Sequence, residues 1–130
     1  MRSVILALLA TSQRIFSSYT RLGLINRSSC DLLEGEATVV PGVLVDALPE
    51  GISAGHTDSI TYMASTAIRQ REKVFFSGEY RLQCGKQRAG SLHLLLGDQL
   101  SDFIVNSDAV ELSHDAEHDE VLLTDVLPLQ

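Results

Sequence analysis

The residues here that could do chemistry are four histidines, two cysteines and 17 carboxylates. His56 and Asp58 flank Thr57 and would place a ligand pair on one strand edge, with no third ligand beside them. His114 and His118 are four residues apart. On a helix they would share a face and offer two imidazole nitrogens to a transition metal. These four residues are the candidate metal ligands. Cys30 and Cys84 belong to no CxxC or Cys/His cluster, so they read as two free thiols in a reducing compartment. The chain carries no Gly-Lys-Ser phosphate loop, no GxGxxG and no HExxH. No catalytic residue is singled out, and no cofactor is implied.

Charge narrows the partners. The net charge of −7 argues against a nucleic-acid surface, which needs basic groups to displace phosphate counterions. The charge is also unevenly placed. Residues 1–30 hold Arg2, Arg14, Arg21 and Arg27 and no acid, whereas residues 31–130 hold 17 acids against six bases. From Asp108 to Asp125 there are seven acids and no base, an acidic stretch suited to a basic partner.

The first thirty residues have a helical period. Ile5, Leu8, Leu9, Ser12, Ile15, Phe16, Tyr19 and Leu22 fall on one face, and Gly23 is a stop signal. An acid-free, Arg-bearing, Ser-rich amphipathic segment has the composition of a mitochondrial transit peptide. The alternatives are a helix packed on the domain, a helix lying on a membrane surface through residues 3–22, and a secretory signal built on Val4–Ala10. On the secretory reading, Asn26-Arg27-Ser28 would be a glycosylation acceptor. Without a targeting role for this segment the chain reads as cytoplasmic. No apolar run reaches the roughly 20 residues of a membrane span.

Residues 31–130 read as one β-rich domain. Ala37–Val40 and Val43–Leu48 are Val-rich runs around a Pro41-Gly42 turn. Residues 49–56 make a loop, Ile60–Met63 a strand, and Ala64–Arg71 fits helix or strand. Ser77-Gly78-Glu79 reads as a tight turn between Val74–Phe76 and Tyr80–Cys84. Glu79, Arg81 and Gln83 alternate with Tyr80, Leu82 and Cys84, giving one wet and one dry face. Ser91–Leu96, Leu100–Val105, Ala109–Ser113 and Val121–Leu129 complete a series of short strands.

GEYRLQCG followed by LHLLLGD resembles the central part of the cupin family, a double-stranded β-helix, over roughly residues 38–113. Gly78, Glu79, Gly85, Leu94, Gly97 and Asp98 fit its rhythm, and His56 stands where the family's first metal histidine would. The resemblance implies a barrel that holds a small molecule or a metal. The family's His-x-His pair, following Glu and distant His are replaced here by His56-Thr57-Asp58 and Asn106–Val110, so the metal motif is not intact. GDQLSDF also resembles a haloacid-dehalogenase phosphatase motif. That chemistry needs an Asp-x-Asp nucleophile, which the chain lacks.

The expected fold is therefore α+β: an N-terminal amphipathic helix, then a mostly antiparallel β-sandwich or barrel-like domain with an acidic C-terminal loop. The expected role is a non-enzymatic interaction or structural protein, an accessory subunit of a larger assembly, working with a protein partner or as a homo-oligomer. The alternative is a cupin-like ligand-binding protein.

Overall fold

In a computed structural model, residues 19–98 and 101–126 are described. Among the described residues nine strands form two sheets: β1 (Tyr19–Arg27), β2 (Asp31–Val39), β3 (Leu44–Ala47), β4 (Thr57–Met63), β5 (Phe76–Cys84), β6 (Gln87–Leu96), β7 (Ser101–Asn106), β8 (Val110–Asp115) and β9 (Glu120–Asp125). A single short helix, α1 (Thr66–Arg71), is the only one among the described residues. The five-stranded sheet runs β3-β4-β1-β9-β8, and the four-stranded sheet runs β2-β5-β6-β7. All neighbours are antiparallel except β1 and β9, which pair in parallel from Gly23↔Glu120 to Arg27↔Thr124.

Two-residue alternation builds the core between the sheets. Leu22 and Leu24 on β1, Ile60 and Tyr62 on β4, and Val121 and Leu123 on β9 point inward from one side. Phe76, Tyr80 and Leu82 on β5, with Leu92, Leu94 and Leu96 on β6, meet them from the other. Tyr62 stacks on Phe76 at 5.1 Å between ring centroids and tilts against Phe75 at 5.8 Å, joining the two layers. Helix α1 starts at Ser65, whose hydroxyl accepts the Ile68 N–H at 3.2 Å, and buries Ile68. Its Arg69 lies 5.3 Å over the Phe75 ring and donates to Thr20 Oγ1 at 2.8 Å, closing that end of the sandwich.

The α+β expectation is corrected: the chain is mostly β. The expected N-terminal helix does not run through Tyr19 and Leu22, which lie in β1; its remainder, residues 1–18, lies outside the described residues. Thr20, Leu22, Leu24 and Asn26 alternate at period two; Tyr19 and Leu22, three residues apart, would share a face on a helix but lie on opposite faces of β1, where Tyr19 is exposed and Leu22 buried. The expected turn at Ser77-Gly78-Glu79 is absent, because β5 runs unbroken through it. Gly78 faces the core, where a Cβ would sit 3.1 Å from Phe76 and 3.3 Å from Leu94. It is there for space and not for a turn. The reversal comes at Cys84–Gln87 instead.

The two thiols are not free. Cys30 and Cys84 are joined in a disulfide across β2 and β5, one step beyond the Asp31↔Gln83 pair. The bond closes a 54-residue separation. In the chain-entropy account a loop of that size contributes about 4 kcal/mol.

The same corner holds Asn26, which is fully buried on β1. Its Nδ2 donates to Cys30 O at 2.8 Å and to Ile52 O at 3.0 Å. Its Oδ1 accepts from Ser28 N at 3.1 Å and Ser28 Oγ at 2.6 Å. All four hydrogen-bonding positions of the carboxamide are thus used. Asp125 Oδ1 accepts from Ser29 N and Oγ, and Asp31 Oδ1 accepts from Ala54 N. Together these bonds tie the β1–β2 turn to β9 and to the loop before β4. Replacing Asn26 by Ala leaves the buried Ser28 N–H without its acceptor and takes one donor each from the Cys30 and Ile52 carbonyls. Asn26→Ala is expected to lower unfolding stability by about 3–5 kcal/mol in a denaturant titration, whereas exposed Asp46→Ala should change it by less than about 0.5 kcal/mol.

Candidate functional site

The outer face of the four-stranded sheet carries a row of polar side chains set by strand register. Glu36 on β2 lies opposite Glu79 on β5, and Glu79 lies opposite His93 on β6. One step along, Arg81 lies opposite Leu33 and Ser91. Glu79 and Arg81 reach this face because Tyr80 and Leu82 between them point into the core. Glu36 reaches it only because β2 bulges between Leu33 and Glu36.

At that bulge Glu34 has φ of 55°, a left-handed backbone uncommon outside Gly, Asn and Asp. The conformation directs its carboxylate to Arg81. Arg81 Nε donates to Glu34 Oε2 at 3.0 Å and the Arg81 terminal nitrogen to Glu34 Oε1 at 3.3 Å. A third Arg81 nitrogen donates to Gln83 Oε1 at 3.0 Å. Behind the bulge, Gly35 N–H donates to Glu50 O at 2.8 Å and the buried Tyr80 hydroxyl donates to Pro49 O at 2.7 Å. Burial raises the Tyr80 pKa to about 12, so this bond persists across the physiological range.

Glu34, Glu36, Glu79, Arg81, Gly90 and Ser91 line an open depression of about 350 Å³. Its rim depends on Gly90, which has φ of 129° and whose Cβ would overlap the Asn106 carbonyl oxygen. Glu36 and Glu79 stand directly opposed with like charge, an arrangement that costs about 0.2–1 kcal/mol on a sheet surface. Arg81 neutralises Glu34, so the depression keeps an excess of negative charge.

Ser91, His93 and Glu79 lie together here and invite comparison with a nucleophile relay. Ser91 Oγ and His93 Nε2 share a hydrogen bond at 3.2 Å, and Glu79 Oε1 lies 3.8 Å from the same nitrogen. A relay needs the acid on the opposite ring nitrogen, where it fixes the tautomer that accepts the hydroxyl proton. Both partners on Nε2 compete for one position, so the trio is a polar cluster and not an assembled base.

The four sequence-derived metal candidates are dispersed. His56 sits exposed in the turn before β4, with Nδ1 3.2 Å from Ala54 O. Exposed Asp58 accepts the Ser59 N–H through Oδ1. His114 is on β8, not a helix, and packs against Phe103 of the opposite sheet at 4.6 Å. His118 lies in the β8–β9 turn. There the ligand atoms of Asp115, Glu117 and His118 fall within 4.8 Å of one another, and all three residues are exposed. The Asp115 carboxylate is already engaged: Oδ1 accepts from Glu117 N and His118 N, and Oδ2 accepts from His118 Nδ1 at 2.7 Å. This is the bonding of a tight turn.

Glu34, Glu36, Arg81, Ser91 and His93 escaped the sequence reading. Alternation placed Arg81 on a wet face, but Glu36 joins it only through the β2–β5 register, and the bulge at Glu34 leaves no motif. No protein-family model, curated protein or solved structure matches the chain.

The β8–β9 turn has a defined pH response. The His118 hydrogen bond holds the Asp115 carboxyl below its usual value of 3.8, and the same bond raises His118 above its usual 6.5. A raised histidine contributes stability below its unfolded pKa and loses it as pH rises through the folded value. A lowered aspartate contributes above its unfolded pKa and loses it as pH falls through the folded value. The pair is therefore closed from below pH 3.8 to above pH 6.5. In an NMR titration His118 should show a midpoint above 6.5 that Asp115→Asn moves downward; an unmoved midpoint would exclude the pairing.

Proposed function

We propose that this chain is a non-enzymatic protein-binding β-sandwich whose four-stranded sheet offers its outer face to a basic segment of a protein partner. The observation that carries this reading is the opposed Glu36–Glu79 pair beside the Glu34 bulge and its open depression. Like charges placed side by side, with a strained backbone next to them, cost stability in the isolated protein. A lysine or arginine seated between the carboxylates relieves the repulsion, and Arg81 leaves Glu34 positioned at the rim. The acidic balance of residues 31–130 adds long-range attraction for such a partner. The Cys30–Cys84 bond supports work in an oxidising compartment over the cytoplasmic reading.

The test uses the oxidised full chain and a displayed peptide library. Basic sequences should be enriched, with affinity falling as salt rises. Glu79→Gln should weaken binding of the enriched peptides about tenfold while leaving stability unchanged or raising it by about 0.5 kcal/mol. Weaker binding together with greater stability separates a binding carboxylate from a structural one. Enrichment without basic residues, or full binding by Glu36→Gln and Glu79→Gln, would sink the proposal.

A further inference from the structure

Asn26-Arg27-Ser28 has the form of an N-glycosylation acceptor, yet the fold uses the same atoms that the modification requires. In that modification Nδ2 forms a bond to C1 of the first sugar. The C1–O bond to a lipid pyrophosphate breaks, the pyrophosphate leaves with the electron pair, and one amide proton passes to the transferase. The acceptor amide must therefore be accessible and must give up one N–H.

Neither condition is met in the folded chain. Asn26 is 0% exposed and Ser28 5%. Both Nδ2 hydrogens are committed, to Cys30 O at 2.8 Å and Ile52 O at 3.0 Å. The Ser28 hydroxyl, the other recognition element of the triplet, donates to Asn26 Oδ1 at 2.6 Å and accepts from Cys30 N at 3.2 Å. A sugar on Nδ2 would have to displace either the β1–β2 turn or the loop at Ile52. Cys30, whose carbonyl receives the Asn26 amide, is fixed to Cys84 on β5. We infer that Asn26 is a glycan acceptor only in the unfolded, reduced chain, and that closing the β1–β2 turn with the Cys30–Cys84 bond shuts the site, so that glycan and native fold exclude each other.

A purified oligosaccharyltransferase with a lipid-pyrophosphate-linked oligosaccharide tests this on the full chain. One sample is oxidised and folded, with the disulfide verified by thiol counting. A second is reduced and capped at both thiols, which keeps the buried Cys30 corner open. A third is oxidised Asp108→Ser, which completes an acceptor triplet with Asn106 and Ser107, where Asn106 is exposed at the end of β7. Peptide mass analysis should find Asn26 modified in the capped chain at least tenfold more than in the oxidised chain. Folded Asp108→Ser should carry glycan on Asn106 and none on Asn26. A glycan on Asn26 in protein with an intact Cys30–Cys84 bond would overturn the inference, and so would an unmodified Asn26 in the capped chain. If Asn106 of Asp108→Ser is modified in the reduced and capped chain but not in the folded one, the fold as a whole excludes the enzyme, and closure specific to the Cys30–Cys84 corner is overturned.

Discussion

One buried carboxamide holds the sandwich in register. Asn26 sits on the middle strand of the five-stranded sheet at the point where the chain leaves for the other sheet. A buried amide is costly unless every donor and acceptor is matched, and here the partners come from the β1–β2 turn and from the loop before β4. Its backbone joins in: Asn26 N donates to His56 O, and Gly55 N donates to Asn26 O. The geometry that satisfies the amide also places Cys30 against Cys84, so the polar network and the covalent link specify the same corner. Apolar packing alone would tolerate small slips between the sheets, whereas this network tolerates none.

The two faces of β5 show how one strand serves both core and surface. Tyr80 and Leu82 anchor it from below, and the Tyr80 hydroxyl also secures Pro49 behind the β2 bulge. Glu79 and Arg81 are thereby held on the outer face by residues that never touch it. The acidic depression is a by-product of register: a single extra residue at Glu34–Gly35 brings Glu36 into line with Glu79. The Arg81–Glu34 ion pair is partly exposed and adds little to stability on its own. Its effect is to orient.

How much of this could be read in the sequence depended on the range of the signal. The wet and dry alternation of Arg81 and Gln83 against Tyr80, Leu82 and Cys84 is local, and the structure follows it. Gly78 was ambiguous because glycine marks both turns and tight packing, and only the neighbouring strands decide between them. Tyr19 and Leu22 satisfied a helical spacing, but β1 has partners on both sides, and tertiary pairing overrode the local pattern. The disulfide and the Glu36–Glu79 pair are properties of the β2–β5 register. With only two cysteines, 54 residues apart, nothing local pointed to their pairing.

The parallel pairing of β1 with β9 has a consequence for how the chain acquires its structure. The middle strand of the larger sheet has one neighbour, β4, some thirty residues downstream, and another, β9, nearly a hundred residues downstream. Contacts of such separation close late, since loop entropy must be overcome before they form. During synthesis β1 can zip onto β4 soon after that strand emerges, but its other edge stays open until β9 arrives. For that interval an unpaired strand edge next to Leu22 and Leu24 is available to other chains. Early assembly is thus the phase in which this protein is most exposed to misassociation, and the last strand completes the sheet from its middle and not from its rim.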